Sequence, residues 1–347
     1  MRMPTRDSDI EDEVAGYQAR MSQLARILYR NTGRALDSLK ADLRDMMNRA
    51  GYDGGTSSVF LNSMADATTL RRLEELVAKA PEGMRRKAWQ DVIDMVANGR
   101  MTNRRAMRVL SKYSVYSVID DMLTVSGRIL DEVTTDGYLH GVYMLQKSAG
   151  FGWAVGDLKG GRMQIIVHSA FSEADARKFV SVAADMADEQ VMYELLKGSP
   201  PDKAVAGVDR VKQATQYRSK RAARTMITDT AGMAHRESYE RHGVKQYRFT
   251  CTYDERTCPV CGSMDGRRFP VSEAKAGTNY PPMHPNCRCT TVAVLSKEIE
   301  AAMAPRAIRD RSTGRIVDVP QDFTYEDWYK RFGPGRTDGH QYIPKKR

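Results

Sequence analysis

The sequence predicts an α+β chain, predominantly α-helical, with a small Cys/His module near the C-terminus. Three observations predict it. Apolar residues recur at helical spacing early in the chain, as in Val14, Tyr17, Met21, Leu24 and Leu28. Strand-like alternation is short, at Tyr247, Phe249 and Cys251 against Arg248 and Thr250. All five cysteines lie between Cys251 and Cys289. The chain has 41% hydrophobic and 28% charged residues, which suits a globular protein rather than a disordered one.

A length of 347 residues suggests two or three domains. Four stretches follow from the pattern: a helical region over 1–135, a mixed α/β segment over 136–201, a third region over 202–300 that holds the Cys/His module, and a polar tail over 301–347. In the first, Leu36, Leu39, Leu43, Met46 and Met47 repeat the helical spacing. A further run carries Met107, Leu110, Val118, Met122, Val125 and Ile129. Gly51, Gly54 and Gly55 form one break, and Pro81 with Gly83 another. These stripes are core faces or seams for partner helices. The 20 methionines suit helices with adaptable packing. The blocks Arg71-Arg72, Arg85-Arg86-Lys87 and Arg104-Arg105 read as solvated helix faces, with a stripe facing a partner or DNA as the sharper alternative.

In the mixed segment, Tyr138 to Leu145 reads as a strand, and Met163 to Val167 as a second strand after Gly160-Gly161. Ser172 opens a helix toward Leu196, with Glu173 and Asp175 in its first turn. Gly150, Gly152 and Gly156 miss the dinucleotide-binding spacing and read as loop glycines. Gly198, Ser199, Pro200 and Pro201 mark the next boundary. A helix follows over roughly Lys203 to His242, basic at Arg218, Lys220, Arg221 and Arg224, and Gly243 fits its C-cap.

The formal net charge is +10. That suits a nucleic acid or an acidic protein partner, or is a plain solubilising excess. No stretch approaches the roughly 18 apolar residues of a membrane span. Met1 to Asp12 mixes Arg and Asp without an apolar centre, so no secretory signal is expected and synthesis in a cytoplasm is. In a reducing compartment, clustered cysteines point to a metal site rather than to disulfides.

The informative stretch is Cys258-Pro-Val-Cys261, followed after a spacer by His284-Pro-Asn-Cys287-Arg-Cys289. Zinc takes four thiolate or imidazole ligands in a tetrahedron, and a CxxC knuckle offers two from one tight turn. The expected set is Cys258, Cys261, His284 and Cys287, with Cys289 competing for the last place. Cys251 reads as a buried core cysteine. Four protein ligands leave no open position for water, so the zinc would be structural. Asp254 beside Thr257 fits the turn into the knuckle, and Asp265-Gly266 fits a reversal. Arg288, between two cysteines, is expected to point outward, toward a carboxylate, a phosphate or solvent.

The residue order around this site resembles the phage Mu protein F-like head morphogenesis family. The resemblance runs from Arg221-Ala-Ala-Arg224-Thr225 through Tyr239, Gly243, Tyr247 and Phe249. It continues through Asp254, Thr257-Cys258, Cys261, Asp265-Gly266, Phe269 and Pro281-Pro282 to His284-Pro-Asn-Cys-Arg-Cys289, and then to Tyr325-Glu-Asp-Trp328. It covers roughly Lys203 to Phe332, and leaves the first 200 residues unmatched. The resemblance implies a minor head protein of a tailed phage, housed in the virion after assembly in the host cytoplasm; the residues themselves lead us to expect no enzymatic activity. It implies the portal protein as partner, major capsid or scaffolding protein as further partners, and non-specific DNA contact. Arg218, Lys220, Arg221, Arg224, Arg267, Arg268 and Arg288 are the candidate contacts.

Two other readings compete. A zinc-knuckle nucleic-acid-binding protein outside the virion would use the same basic residues, with phosphate contacts that weaken steeply with salt. An HNH-type nuclease would need further His or Asn ligands, yet only His340 follows His284. The stretch after Cys289 is short for an appended catalytic domain. His140, His168, His235 and His242 have no evident nucleophile to serve.

Overall fold

The long stripe in the first fifty residues becomes one helix. α1 (Arg6–Arg49) buries Leu24, Leu28, Leu36, Leu39, Leu43, Met46 and Met47 to 1% exposure or less. Each such side chain contributes roughly 1.5–3 kcal/mol of transfer free energy on burial. The computed structural model describes residues 6–82, 101–149, 163, 165–167, 171–294, 306–309, 316–320 and 323–332. The sequence readings at Gly83, Arg85 to Lys87, the glycines at 150, 152, 156, 160 and 161, His168, His340 and Pro344 to Arg347 lie outside these residues. The described chain is predominantly helical and carries a small three-stranded sheet. None of its helices is long and apolar enough to cross a membrane.

The chain divides into two units, Met1–Ile129 with Phe171–Ala223, and Leu130–Ala170 with Arg224–Arg347. In the first unit, α1 is followed by α2 (Ser57–Asn62), α3 (Ala67–Ala78) and α4 (Asn103–Tyr116). α4 packs on α1, on α3 and on α6 (Glu173–Leu196). The run read as continuous from Met107 to Ile129 breaks after Tyr116, and α5 (Ile119–Ala149) begins there. Ser172 caps α6 through a capping box with Asp175, which satisfies two otherwise orphaned amides. α7 (Pro201–Arg241) begins in this unit. Lys40–Asp209 (2.5 Å), Lys212–Asp37 (2.6 Å) and Arg44–Asp202 (2.7 Å) tie it to α1. These pairs are partly exposed, so they set register more than they add stability.

The two sequence breaks at Gly51–Gly55 and Gly198–Pro201 meet each other. Gly55 N–H donates to the Gly198 carbonyl at 2.9 Å, and the Tyr52 hydroxyl donates to the Ser199 carbonyl at 3.1 Å. Gly198 has φ 75°, and a Cβ there would sit 2.8 Å from the Gly55 oxygen. Glycine is therefore required on both counts.

In the second unit the expected strand at Tyr138–Leu145 is helical instead, and so are the described residues of the second expected strand, 163 and 165–167. Tyr138, Val142 and Leu145 are buried at i, i+4 and i+7, which continues the helical stripe of Ile129, Leu130 and Val133 along α5. Gly137 and Gly141 permit close approach: a Cβ on Gly141 would lie 2.1 Å from the Ser238 Oγ of α7. α7 ends as expected at Gly243, with φ 70° and Val244 N–H donating to the Tyr239 carbonyl at 2.9 Å.

The sheet follows, ordered β2-β1-β3, all antiparallel, with β1 (Gln246–Thr250) between β2 (Arg268–Pro270) and β3 (Thr290–Val294). Tyr247 and Phe249 point inward from β1 and are fully buried. The α7 side of this core is closed by the Tyr239 hydroxyl donating to the Thr291 carbonyl and the Tyr280 hydroxyl to the Gly232 carbonyl, at 3.1 and 2.7 Å. A separate ribbon pairs β4 (Arg306–Arg309) with β5 (Ile316–Val319).

His235 of α7 is buried against His140 of α5, ring centroids 5.5 Å apart. Its Nε2 has no hydrogen-bond partner among the described residues. Burial first, and the His140 charge second, bring it down to about 3 from the usual 6.5. Between those values the unfolded chain binds a proton that the folded chain refuses, so stability falls as pH drops below 6.5. Going from pH 7 to 5, this group alone should remove roughly 2 kcal/mol. Urea unfolding should show that loss, and His235→Leu should flatten it. Equal pH slopes in both proteins would refute the assignment.

Candidate metal centre

The centre is assembled from two tight turns and one helix. The first turn follows β1. Asp254 organises it: its carbonyl accepts from Thr257 N–H at 3.1 Å, and its Oδ1 from Arg256 N–H at 2.9 Å. Such an Asx turn reverses the chain without regular structure. Cys258 is then the N-cap of α8 (Pro259–Met264), with Pro259 at the first helical position, where a missing N–H costs nothing. The Cys261 amide donates to the Cys258 Sγ at 3.4 Å. This bond turns both sulfurs of the CxxC toward one point.

The second turn is His284-Pro285-Asn286-Cys287. Cys287 N–H donates to the His284 carbonyl at 3.1 Å, and Asn286 has φ 72°. Proline at the second position and a left-handed Asn at the third are the residues that a type II turn asks for. Asn286 is the one non-glycine residue with positive φ among the described residues. α7 holds it there. Arg224 donates to its Oδ1 at 2.7 Å, its own amide donates to the Thr225 Oγ1 at 2.9 Å, and the Thr228 hydroxyl donates to the Cys287 carbonyl at 3.0 Å. The Arg-Thr pair of the basic helix and the His-Pro-Asn-Cys loop are thus one hydrogen-bonded unit.

The two turns bring their donor atoms together. His284 Nε2 lies 3.2 Å from Cys258 Sγ and 3.4 Å from Cys261 Sγ, and Cys261 Sγ lies 4.0 Å from Cys287 Sγ. A tetrahedral zinc separates its ligands by roughly 3.5 Å for S···N and roughly 3.8 Å for S···S. The observed spacings fit those edges. His284 Nδ1 faces the Pro285 carbonyl at 3.0 Å, which fixes the tautomer that leaves the Nε2 lone pair toward the sulfurs. Two groups could hold a metal ion, with atoms within 4.8 Å in each: Cys258, Cys261 and His284, and Cys261, Cys287 and Cys289. Cys261 is common to both. Cys287 and Cys289 remain the two candidates for the fourth place. Cys251 is buried and belongs to neither group.

The thiols share protons unevenly. Cys287 accepts from Cys261 and Cys289, which holds it well below the usual thiol range. Cys261, donating to both neighbours and buried, is pushed up. Cys289 accepts from Cys261, which favours its thiolate, but donation to Cys287 and burial outweigh that and push it up. A divalent cation bound here would replace those protons, because thiolates bind metal deprotonated.

A roof from the C-terminal region covers the cluster. Val319, Tyr325 and Trp328 pack in one core with Cys261, Cys287, Cys289 and Phe249, the two aromatics coming from α9 (Tyr325–Phe332). Gly262 is needed beneath it, since a Cβ would meet the Tyr325 ring at 2.9 Å. Asp265 pins the roof. Its carboxylate accepts from the Cys251 amide, the Tyr253 hydroxyl and the Tyr325 amide, each at 2.8 Å. Asp265-Gly266 also makes the expected reversal, with Gly266 at φ 78° and its amide donating to the Phe249 carbonyl at 2.9 Å.

The candidate contact cations are placed differently from one another. Arg218 donates to the Phe179 carbonyl at 3.0 Å and lies over the Phe179 ring at 5.4 Å, and burial brings it below the usual guanidinium range. Lys220 and Arg221 are exposed on α7, and Arg267 and Arg268 are exposed at β2. Arg224 is half-buried on Asn286. Arg288 points away from the sulfurs as alternation demands, yet it is half-buried and grips both oxygens of Asp254. Of the options left by the sequence, its partner is the carboxylate. Burial alone would raise Asp254, but the Arg288 bonds and charge bring it below the usual range. Sequence reasoning passed over Thr228, Arg256 and the Asp265 anchor. Pro285-Asn286 already spells the turn in the sequence.

Residues 183–292 match the family described as Phage Mu protein F like protein. A stretch of 111 residues is 26% identical to an uncharacterized protein of Haemophilus influenzae. The match covers 32% of this chain and 25% of that relative, so the chain spans about a quarter of its length. No solved structure matches the chain.

Asn286 gives the sharpest test of the second turn. Asn286→Ala should destabilise the protein by about 1–3 kcal/mol, since alanine resists the left-handed conformation and loses the Arg224 bond. Asn286→Gly should lose roughly 1 kcal/mol less. Hydrogen exchange of the β1 amides would measure both, and the opposite order would refute the turn as the strained element.

Proposed function

We propose that this chain, whose residues 183–292 belong to the phage Mu protein F-like family, is a minor head protein of a tailed phage that works beside the portal. Membership supports a role in the phage head. The observation that carries the finer reading is the clamp of α7 on the His284–Cys287 turn, because it makes Arg224 to Thr228 and the Cys/His loop one hydrogen-bonded element. A rigid, cross-tied module suits a part that must keep its shape inside an assembly. Its role is structural rather than catalytic.

Zinc is the metal this donor set fits. Cys258, Cys261 and His284, with Cys287 or Cys289, would hold it with four protein ligands and no open position. It would staple the two turns together and leave the protein's own residues to make contacts. The partners proposed are the portal protein first, then major capsid or scaffolding protein, and DNA without sequence preference. The site of action is the head interior or portal region of the virion, reached from the host cytoplasm during assembly.

A second reading, a zinc-knuckle nucleic-acid-binding protein that stays outside the virion, is favoured by the net charge of +10 and the exposed Lys220, Arg221, Arg267 and Arg268. Quantitative mass spectrometry of purified particles and procapsids separates the two. A few to a few tens of copies per portal are expected. Absence from both would contradict the head assignment and leave the second reading.

A further inference from the structure

Three arginines gather where the two turns of the centre come close. Asp254 is the hub: Arg288 grips its carboxylate with two N–H groups, and Arg256 Nη2 lies 3.8 Å from the same group. Arg224 reaches the neighbouring Asn286, two residues before Arg288. Two guanidinium groups therefore flank one carboxylate while a third is bonded to Asn286, and the Arg256 side chain is 82% exposed. Among the described residues, the Arg224 guanidinium bonds to a neutral amide oxygen rather than to a carboxylate. Burial, then the charges of Arg288 and Arg256, hold it below the usual guanidinium range, as expected for cations that feel each other and want a counter-anion. Glu255, exposed beside Arg256, is the other acid in this turn.

We propose that Arg224, Arg256 and Arg288, collected around Asp254 and Asn286, form a cradle for a phosphodiester of duplex DNA. Guanidinium forks match phosphate oxygens two at a time. The cradle is preformed, because Arg288 and Arg224 are already held by Asp254 and Asn286, so little side-chain ordering is needed on binding. Arg267 and Arg268, also exposed in this unit, add to its positive charge. Phosphodiester contact is independent of sequence, as a head protein meeting packaged DNA requires. The inference rests on the DNA contact proposed above and names its place; Arg256 was absent from the contacts expected from the sequence.

The test is fluorescence anisotropy of the full-length protein with a labelled mixed-sequence duplex, at roughly 50 and 200 mM salt. Arg256→Glu should weaken binding about tenfold and lower the salt slope by about one to two. Arg256→Gln removes a charge while leaving Arg288 on Asp254 and Arg224 on Asn286, and should weaken binding several-fold with hydrogen exchange at β1 unchanged. Lys112→Glu, an exposed charge reversal on α4, should change affinity less than about twofold. If Lys112→Glu and Arg256→Glu cost the same, binding reflects net charge and the cradle is overturned while the DNA contact stands. If the unaltered protein has no affinity for the duplex, both fall. Tighter binding of polyglutamate than of the duplex, weakened to the same extent by Arg256→Glu, would assign the arginines to an acidic protein and overturn the proposal.

Discussion

The left-handed turn at Asn286 is the constraint on which the second unit depends. An L-residue pays to hold φ 72°, and three hydrogen bonds from α7 hold it there. Once that turn is fixed, His284 and Cys287 face the CxxC, and Arg288 is carried to Asp254. Through Asp254 the same constraint reaches the turn that presents Cys258. The two halves of the centre are far apart in sequence, yet each is oriented by a group that the other supplies.

The roof follows from the same arrangement. Buried thiols need a dry, close-packed wall, and the wall is built from Val319, Tyr325 and Trp328 of the C-terminal region. Asp265 fixes it by giving its carboxylate oxygens to β1's continuation, to Tyr253 and to the first amide of α9. A buried carboxylate is tolerable only when its acceptors are filled, and here three donors fill them. The part of the chain beyond the matched residues 183–292 therefore completes the module rather than trailing from it.

Much of this was legible in the sequence, and the rest had physical reasons for being hidden. The stripe from Leu24 to Met47, the cap at Ser172, the stop at Gly243 and the strand at Tyr247 each follow from local pattern, and each is found. Tyr138 to Leu145 misled because its aromatic and β-branched residues favour strands, while its burial period of Tyr138, Val142 and Leu145 is helical. Gly137 and Gly141 serve close helix packing, a role that only the neighbouring helix reveals. At the centre, donor types and spacing were visible, whereas the pairing of Arg288 with Asp254 and of Arg224 with Asn286 was not. Such pairings join residues distant in sequence, and no local rule encodes them.

Bound zinc would tie the CxxC turn to the His-Pro-Asn-Cys turn through one ion. Elemental mass spectrometry of the purified full-length protein, set beside Cys258→Ser and His284→Ala, tests it most directly. One zinc per chain, lost in either variant together with protection of the β1 amides against hydrogen exchange, is the result this account predicts. A protein with no stoichiometric metal, and with β1 protection indifferent to a strong chelator, would contradict it and leave the five donors as a metal-free core.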